Sequence, residues 1–277
     1  MEKFVNAEAV TRSGERISFS FGKNWSKYIR KLSTTKVAQA EESLRFSFDG
    51  YSLTGESFLD IGCGSGVFSL AAARQGASQI TSIDVDPMSI ASTQELSSLA
   101  PPETSWQIRI GSVLDREFLA SLRPATRVYS WGVLHHAGAM WEALENSLPL
   151  VQPGGALCIA LYVQPTRPEL HMALKRVYNR SPWIGRRVLE LMYAIALLAV
   201  LAKRRRENPI RYVREYGSRF RGMSFWRDVE DWLGGLPCEW ADPDDVRAFV
   251  EARGFQTIRV LPGPRGACSE FFFRRPS

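Results

Sequence analysis

Residues 58–87, FLDIGCGSGVFSLAAARQGASQITSIDVDP, constrain the fold more than any other stretch of the chain. A short apolar run ends in Asp60, glycines follow at 62, 64 and 66, a run of small helix formers comes next, and a second apolar run ends in Asp84. Two apolar strands joined by a helix must lie parallel, because a parallel connection needs a crossover of this length. Glycines in the first turn let the backbone approach a ligand above the strand ends, and an acid closing the second strand accepts hydrogen bonds from both hydroxyls of a ribose. A dinucleotide fingerprint places its third glycine one position later, at 67, where this chain has Val67. Asp60, just ahead of the first glycine, repels a pyrophosphate and attracts an ammonium group. The pattern therefore points to a nucleoside carrying an amino-acid end.

Apolar runs and helical stretches keep alternating through WQIRI, RVYSWGV and ALCIALY, which predicts a parallel sheet covered on both faces. Four parts follow. Residues 1–56 form a helical segment closing over the nucleoside site. Residues 57–162 form the core, 163–240 an inserted helical basic cap, and 241–277 a last helix with two strands, QTIRV and EFFF. The last helix has Asp242 as N-cap, Pro243 at its first position, Asp244 and Asp245 in the first turn and Gly254 at its stop. With 45% hydrophobic and 23% charged residues, the 277-residue chain buries a full core, which excludes disorder, collagen and coiled coil. Four scattered cysteines predict neither a zinc site nor a disulfide framework, so a reducing cytoplasm is expected. The first 16 residues have scattered charges and no apolar stretch, which predicts no secretory signal. Net charge is +6, but residues 171–222 hold thirteen Lys and Arg against three acids, and the remainder is acidic. An anionic partner is expected to meet that segment.

Leu59-Asp60-Ile61-Gly62-Cys63-Gly64-Ser65-Gly66 resembles the first motif of the class I S-adenosylmethionine-dependent methyltransferases. Asp84 matches their ribose-binding acid, and Gly111-Ser112-Val113-Leu114-Asp115 matches the adenine-contacting segment. Ser130-Trp131-Gly132-Val133-Leu134-His135-His136 matches the end of the fourth strand, and Leu150 to Leu157 the turn into the fifth. The resemblance implies an α/β Rossmann-like fold with a seven-stranded, mostly parallel sheet and an antiparallel last strand. It implies S-adenosyl-L-methionine as cofactor, held by Asp60, Gly62, Gly64, Gly66, Asp84, Val85, Ser112, Val113 and Trp131. Ser112 departs from the family, which usually has an acid there, so Asp115 or backbone groups are alternative adenine contacts. FSFGKNW and RGMSFWRDVEDWLGG resemble a bacterial subgroup that tailors small molecules or glycans. In place of that subgroup's Asn-Asp pair this chain has Val163-Gln164 after Tyr162, which implies a different acceptor.

His136 and His135, after the fourth strand, are the candidate catalytic residues: histidine is suited to deprotonating an acceptor hydroxyl, with turnover rising through its ordinary pKa near 6.5. The alternative is that one packs beneath a helix and the other caps it. Trp25, Tyr28, Tyr162, Arg221 and Trp226 are candidate acceptor contacts. Docking of the first helix, a core edge and a surface ion pair are the corresponding structural alternatives. The apolar run 188–202, flanked by arginines within 186–206, is too short to span a membrane, and its all-round apolarity predicts burial on most sides. Lid, homodimer contact and peripheral membrane helix remain open for it.

The function taken forward is O-methylation of a small-molecule acceptor, acidic or lipophilic. Carbon or nitrogen methylation, an NAD-dependent oxidoreductase and a non-catalytic scaffold are alternatives. No nucleic-acid partner is expected, because SWGVLHH lacks the Asn/Asp-Pro-Pro-aromatic motif used on exocyclic nitrogens.

Overall fold

The computed structural model describes residues 34–219 and 224–277. Trp25, Tyr28 and Arg221 lie outside the described residues. The chain forms a seven-stranded sheet from β1 (Ser57–Ile61), β2 (Gln79–Asp84), β3 (Ser105–Ile110), β4 (Ala125–Trp131), β5 (Val151–Tyr162), β6 (Gln256–Leu261) and β7 (Cys268–Arg274), in the spatial order β3-β2-β1-β4-β5-β7-β6. The first five strands pair in parallel, and β7 enters antiparallel between β5 and β6. Strand order reverses between β1 and β4, and a crevice forms at such a switch point, outside the carboxyl ends of the strands.

Alternation along β1 sorts its side chains between two cores. Leu59 and Ile61 join the apolar cluster shared with Leu134, Leu144 and Val250, while Phe58 joins the cluster on the other face with Leu70 and Phe272. Helix α1 (Thr34–Ser47) packs on α2 (Val67–Arg74) and buries Val37, Ala40 and Leu44 in the second cluster. The described part of the N-terminal segment thus covers a face of the sheet. Helix α3 (Pro87–Ser97) starts at Asp86, whose carboxylate accepts the Met88 N–H at 2.8 Å. Helices α4 (Arg116–Ala120) and α5 (Met140–Ser147) cover the other face.

Between β5 and the last helix lie α6 (Pro168–Arg180), α7 (Trp183–Arg205), α8 (Pro209–Arg219) and α9 (Phe225–Gly234). They enclose a third core containing Tyr178, Ala194, Tyr212, Phe225 and Leu233. The insertion leaves and rejoins the sheet at one place: Val163 bridges Ala241, whose N–H donates to the Tyr162 carbonyl at 3.0 Å. Helix α10 (Pro243–Glu251) begins as its sequence predicts, with the Asp242 carboxylate accepting the Asp244 N–H.

Helix α7 differs from expectation. It runs 23 residues, and although Ala194 and Leu201 are buried, Val188, Leu191, Met192 and Ile195 are exposed. The neighbouring helices cover one side only, and a run that is apolar but for Glu190 does not say which. No helix among the described residues is long and apolar enough to cross a membrane.

Candidate active site

The turn after β1 is pinned from both sides of the switch point. Gly62 and Cys63 donate their N–H groups to the Ile83 carbonyl at 2.8 and 3.0 Å, and the Gly64 N–H donates to Asp84 Oδ2 at 2.9 Å. Gly62 has φ +76°, and a Cβ there would meet Val133 Cγ1 at 2.4 Å, so the loops after β1 and β4 touch where only a glycine fits. At Gly66, with φ +77°, a Cβ would meet the Thr93 side chain at 2.8 Å.

Asp84 accepts from the Gly64 N–H through one oxygen and from the Asp86 N–H, at 2.8 Å, through the other. A carboxylate has about four acceptor sites, so each oxygen keeps a lone pair for a further donor. This pair of acceptors fits a vicinal diol. Burial pushes the Asp84 carboxyl up to about 6. Val85 beside it is half exposed, as an apolar surface against a base requires.

Asp60 lies deeper than its sequence position implies. It is buried, and its Oδ2 accepts from the Ser69 hydroxyl at 2.6 Å. Ser69 spends its only proton there, so Ser82 donates to Ser69 at 2.7 Å, and Trp106 Nε1 donates to Ser82 at 2.8 Å. This chain ties α2 to β1, β2 and β3. Burial pushes Asp60 up to about 7, so its charge awaits a nearby cation.

In the adenine segment, the Ser112 hydroxyl accepts the Leu114 N–H, and Asp115 caps α4 by accepting the Phe118 N–H. Val113 is a correction to a side-chain role: it is buried in the core and its carbonyl accepts from Asn146, which limits its contribution to the backbone N–H. An open cavity of about 650 Å³ lies beside this segment, lined by Leu114, Asp115, Arg116, Glu117 and Trp141 among others. Trp131 is half-buried, with its ring against the α2 face, so the strand end offers its backbone and not its indole.

The two histidines divide. His135 is fully buried, with its ring stacked on Tyr162 at 3.9 Å and neither nitrogen hydrogen-bonded among the described residues. Its catalytic candidacy is corrected to packing, because the short turn after β4 aims it inward. His136 is half-buried, and its Nδ1 lies 2.6 Å from the Pro237 carbonyl. A carbonyl only accepts, so Nδ1 carries the proton and Nε2 the lone pair. Burial, reinforced by the Lys175 cation, pushes its pKa down to about 3. The expected rise of turnover near pH 6.5 is thereby corrected, since the imidazole is already neutral there. Tyr162 is half-buried, its hydroxyl makes no hydrogen bond among the described residues, and burial holds its pKa well above the ordinary value. Trp226 is half exposed and stands edge-on to Phe225, away from this stack.

Lys175, Pro237 and Glu239 complete the strand end without a sequence signal of their own. Lys175 is buried and donates to the Trp232 carbonyl, with its ammonium 5.4 Å from the Trp232 ring. The Glu239 N–H donates to the His135 carbonyl, and its carboxylate accepts the Met140 N–H at 2.7 Å. The insertion is thus tied to the residues after β4. Only the spacing His171-Lys175-Tyr178, one helical face, hints that Lys175 faces inward while its neighbours do not.

The described residues fit S-adenosylmethionine: a diol-accepting Asp84, a glycine turn at the switch point, and a buried acid near an expected ammonium. The family described as Ribosomal protein L11 methyltransferase (PrmA) matches residues 40–117. These residues are similar to the cofactor-binding part of that methyltransferase family.

Among curated relatives, the tRNA U34 carboxymethyltransferase of Idiomarina loihiensis is 33% identical over 112 residues, covering 40% of this chain and 34% of that protein. The Ribosomal protein L11 methyltransferase of Haemophilus ducreyi is 27% identical over 134 residues, covering 48% and 43%. The chain therefore spans less than half the length of these relatives. Two solved structures share the methyltransferase fold. An O-methyltransferase family protein from Burkholderia thailandensis has TM-score 0.54 and 13% identity, over 87% of this chain and 57% of that one. Magnesium protoporphyrin IX methyltransferase from Synechocystis PCC 6803, with bound SAH, has TM-score 0.53 and 13% identity, over 92% and 95%.

Proposed function

We propose that the chain methylates an oxygen of a small-molecule acceptor whose hydroxyl is itself acidic, phenolic or enolic in character. His136 carries this reading: its Nδ1–H is committed to the Pro237 carbonyl, so Nε2 is the proton-accepting atom at the end of β4. When bound, S-adenosylmethionine supplies an electrophilic methyl carbon on a sulfonium. Nε2 would accept a hydrogen bond from the acceptor hydroxyl and hold its oxygen toward that methyl carbon. A nitrogen whose pKa is about 3 is too weak a base for an aliphatic alcohol. It serves instead to align a hydroxyl that ionises readily, and alignment is the larger part of an in-line displacement. The insertion, tied to β4 through Pro237 and Glu239, walls the acceptor side.

A protein or RNA acceptor is the second reading, because the curated relatives are named for ribosomal protein L11 and tRNA. The family match ends at residue 117, before β4 and the insertion, and so bears on the cofactor half alone. Transfer of label from methyl-labelled S-adenosylmethionine, tested against phenolic compounds, tRNA and ribosomal protein in parallel, separates the readings. Label on tRNA or protein with none on a phenol would overturn the proposal.

A further inference from the structure

The exposed face of α7 is unlike any other surface of the molecule. Ile184 and Met192 are each 60% exposed and Ile195 is 59% exposed, with Val188 and Leu191 between them. At 3.6 residues per turn these five side chains form one continuous ridge, not scattered exceptions. The helix has 23 residues, about 34 Å at 1.5 Å each, and Trp183 stands 74% exposed at its start. A ridge of this extent, left uncovered by the described residues, marks an interaction surface.

Charge decides its partner. The only acid of α7 is Glu190, which is buried and accepts from the Tyr178 hydroxyl and from Arg187. The exposed charges on α7 are Arg187, which is paired with Glu190 and Glu230, and Lys203, with Arg206 at the helix end; the adjoining α6 exposes Arg176 and Arg180 against one acid, Glu169. A second copy meeting this face across a two-fold axis would set cations against cations with no exposed acid on the helix to receive them. A nucleic acid would match the charge and leave the ridge in water. An apolar ridge within a cationic rim matches a surface that is anionic outside and hydrocarbon beneath.

We propose that α7 lies in the plane of an anionic lipid bilayer, with its ridge in the acyl boundary and its cationic rim among the headgroups. This goes beyond the methyl-transfer reading and does not depend on it. Spanning is not involved, since no described helix is long and apolar enough.

Co-sedimentation of the full chain with vesicles tests it. Vesicles of two-thirds phosphatidylcholine and one-third phosphatidylglycerol should bind at least about tenfold more protein than phosphatidylcholine alone, and added salt should weaken binding without abolishing it. Leu191→Glu with Ile195→Glu should lower binding about tenfold or more, with affinity for S-adenosylhomocysteine unchanged as proof of folding. Arg180→Glu with Lys203→Glu should remove the preference for anionic vesicles while leaving the apolar ridge intact. Equal binding by the ridge variant, or no binding to anionic vesicles, would overturn the proposal. So would a dimer in analytical ultracentrifugation that the ridge variant dissociates, or binding to RNA with none to vesicles.

Discussion

Replacing Asp84 by Asn keeps shape and removes charge, and the structure says what each loss does. Asp84 accepts two backbone N–H groups, from Gly64 and Asp86, and has lone pairs left for two ribose hydroxyls. An amide has one accepting oxygen, and its NH2 faces whichever N–H it cannot serve. Hydrogen bonds to a charged group contribute about 1.5–3 kcal/mol, so affinity for S-adenosylhomocysteine should fall about 10- to 150-fold at pH 7.5. Folding stability should move by only about 1 kcal/mol, one ordinary hydrogen bond, because a carboxyl pushed up to about 6 by burial gains nothing electrostatic from its charge above that pH. Linkage adds a second signature. The accepting form is the carboxylate, so wild-type affinity is full above pH 6 and declines as pH falls through about 6, whereas the Asn variant lacks that component. Calorimetric titration between pH 5 and 8 reads both effects, and urea melts read the stability. A loss below twofold, or the same pH component in the variant, would refute the ribose assignment.

Gly62→Ala forces a Cβ to 2.4 Å from Val133 at positive φ, and should destabilise the chain by about 1–3 kcal/mol in urea melts. His136→Ala should lower turnover about 10²-fold, the size of a lost alignment, with cofactor affinity retained, and wild-type turnover should show no histidine rise near pH 6.5, because the imidazole stays neutral down to about 3. Lys175→Met removes the cation that helps to depress His136, so the His136 titration midpoint followed by NMR should move up toward its ordinary value; an unmoved midpoint would show that burial acts alone.

The cofactor half was legible because its signals are local. Gly62, Gly64, Gly66 and Asp84 sit in one crossover, where spacing along the chain is spacing in the turn. The acceptor side was not, because His136 meets Pro237 across a hundred positions, and no local pattern announces such a contact. Strand-end alternation named both histidines without showing that His135 faces inward. The sidedness of α7 was hidden for the opposite reason: residues 188–202 are apolar but for Glu190, and only the packing of α6, α8 and α9 decides which side is covered. Lys175 read as one cation in a basic field, yet it is buried, which its helical register with His171 and Tyr178 could have indicated.

Val163 and Ala241 lie side by side, with everything between them leaving and returning through one doorway beside the end of β5. The 77 residues inside that doorway behave as a cassette: none supplies a strand to the sheet, and their core is their own. A change of length within this segment can therefore leave the register of β5 on β7 fixed, and it reaches the strand ends through the contacts of Pro237 and Glu239 with the residues after β4. Similarity over residues 40–117 thus says little about what the cassette admits.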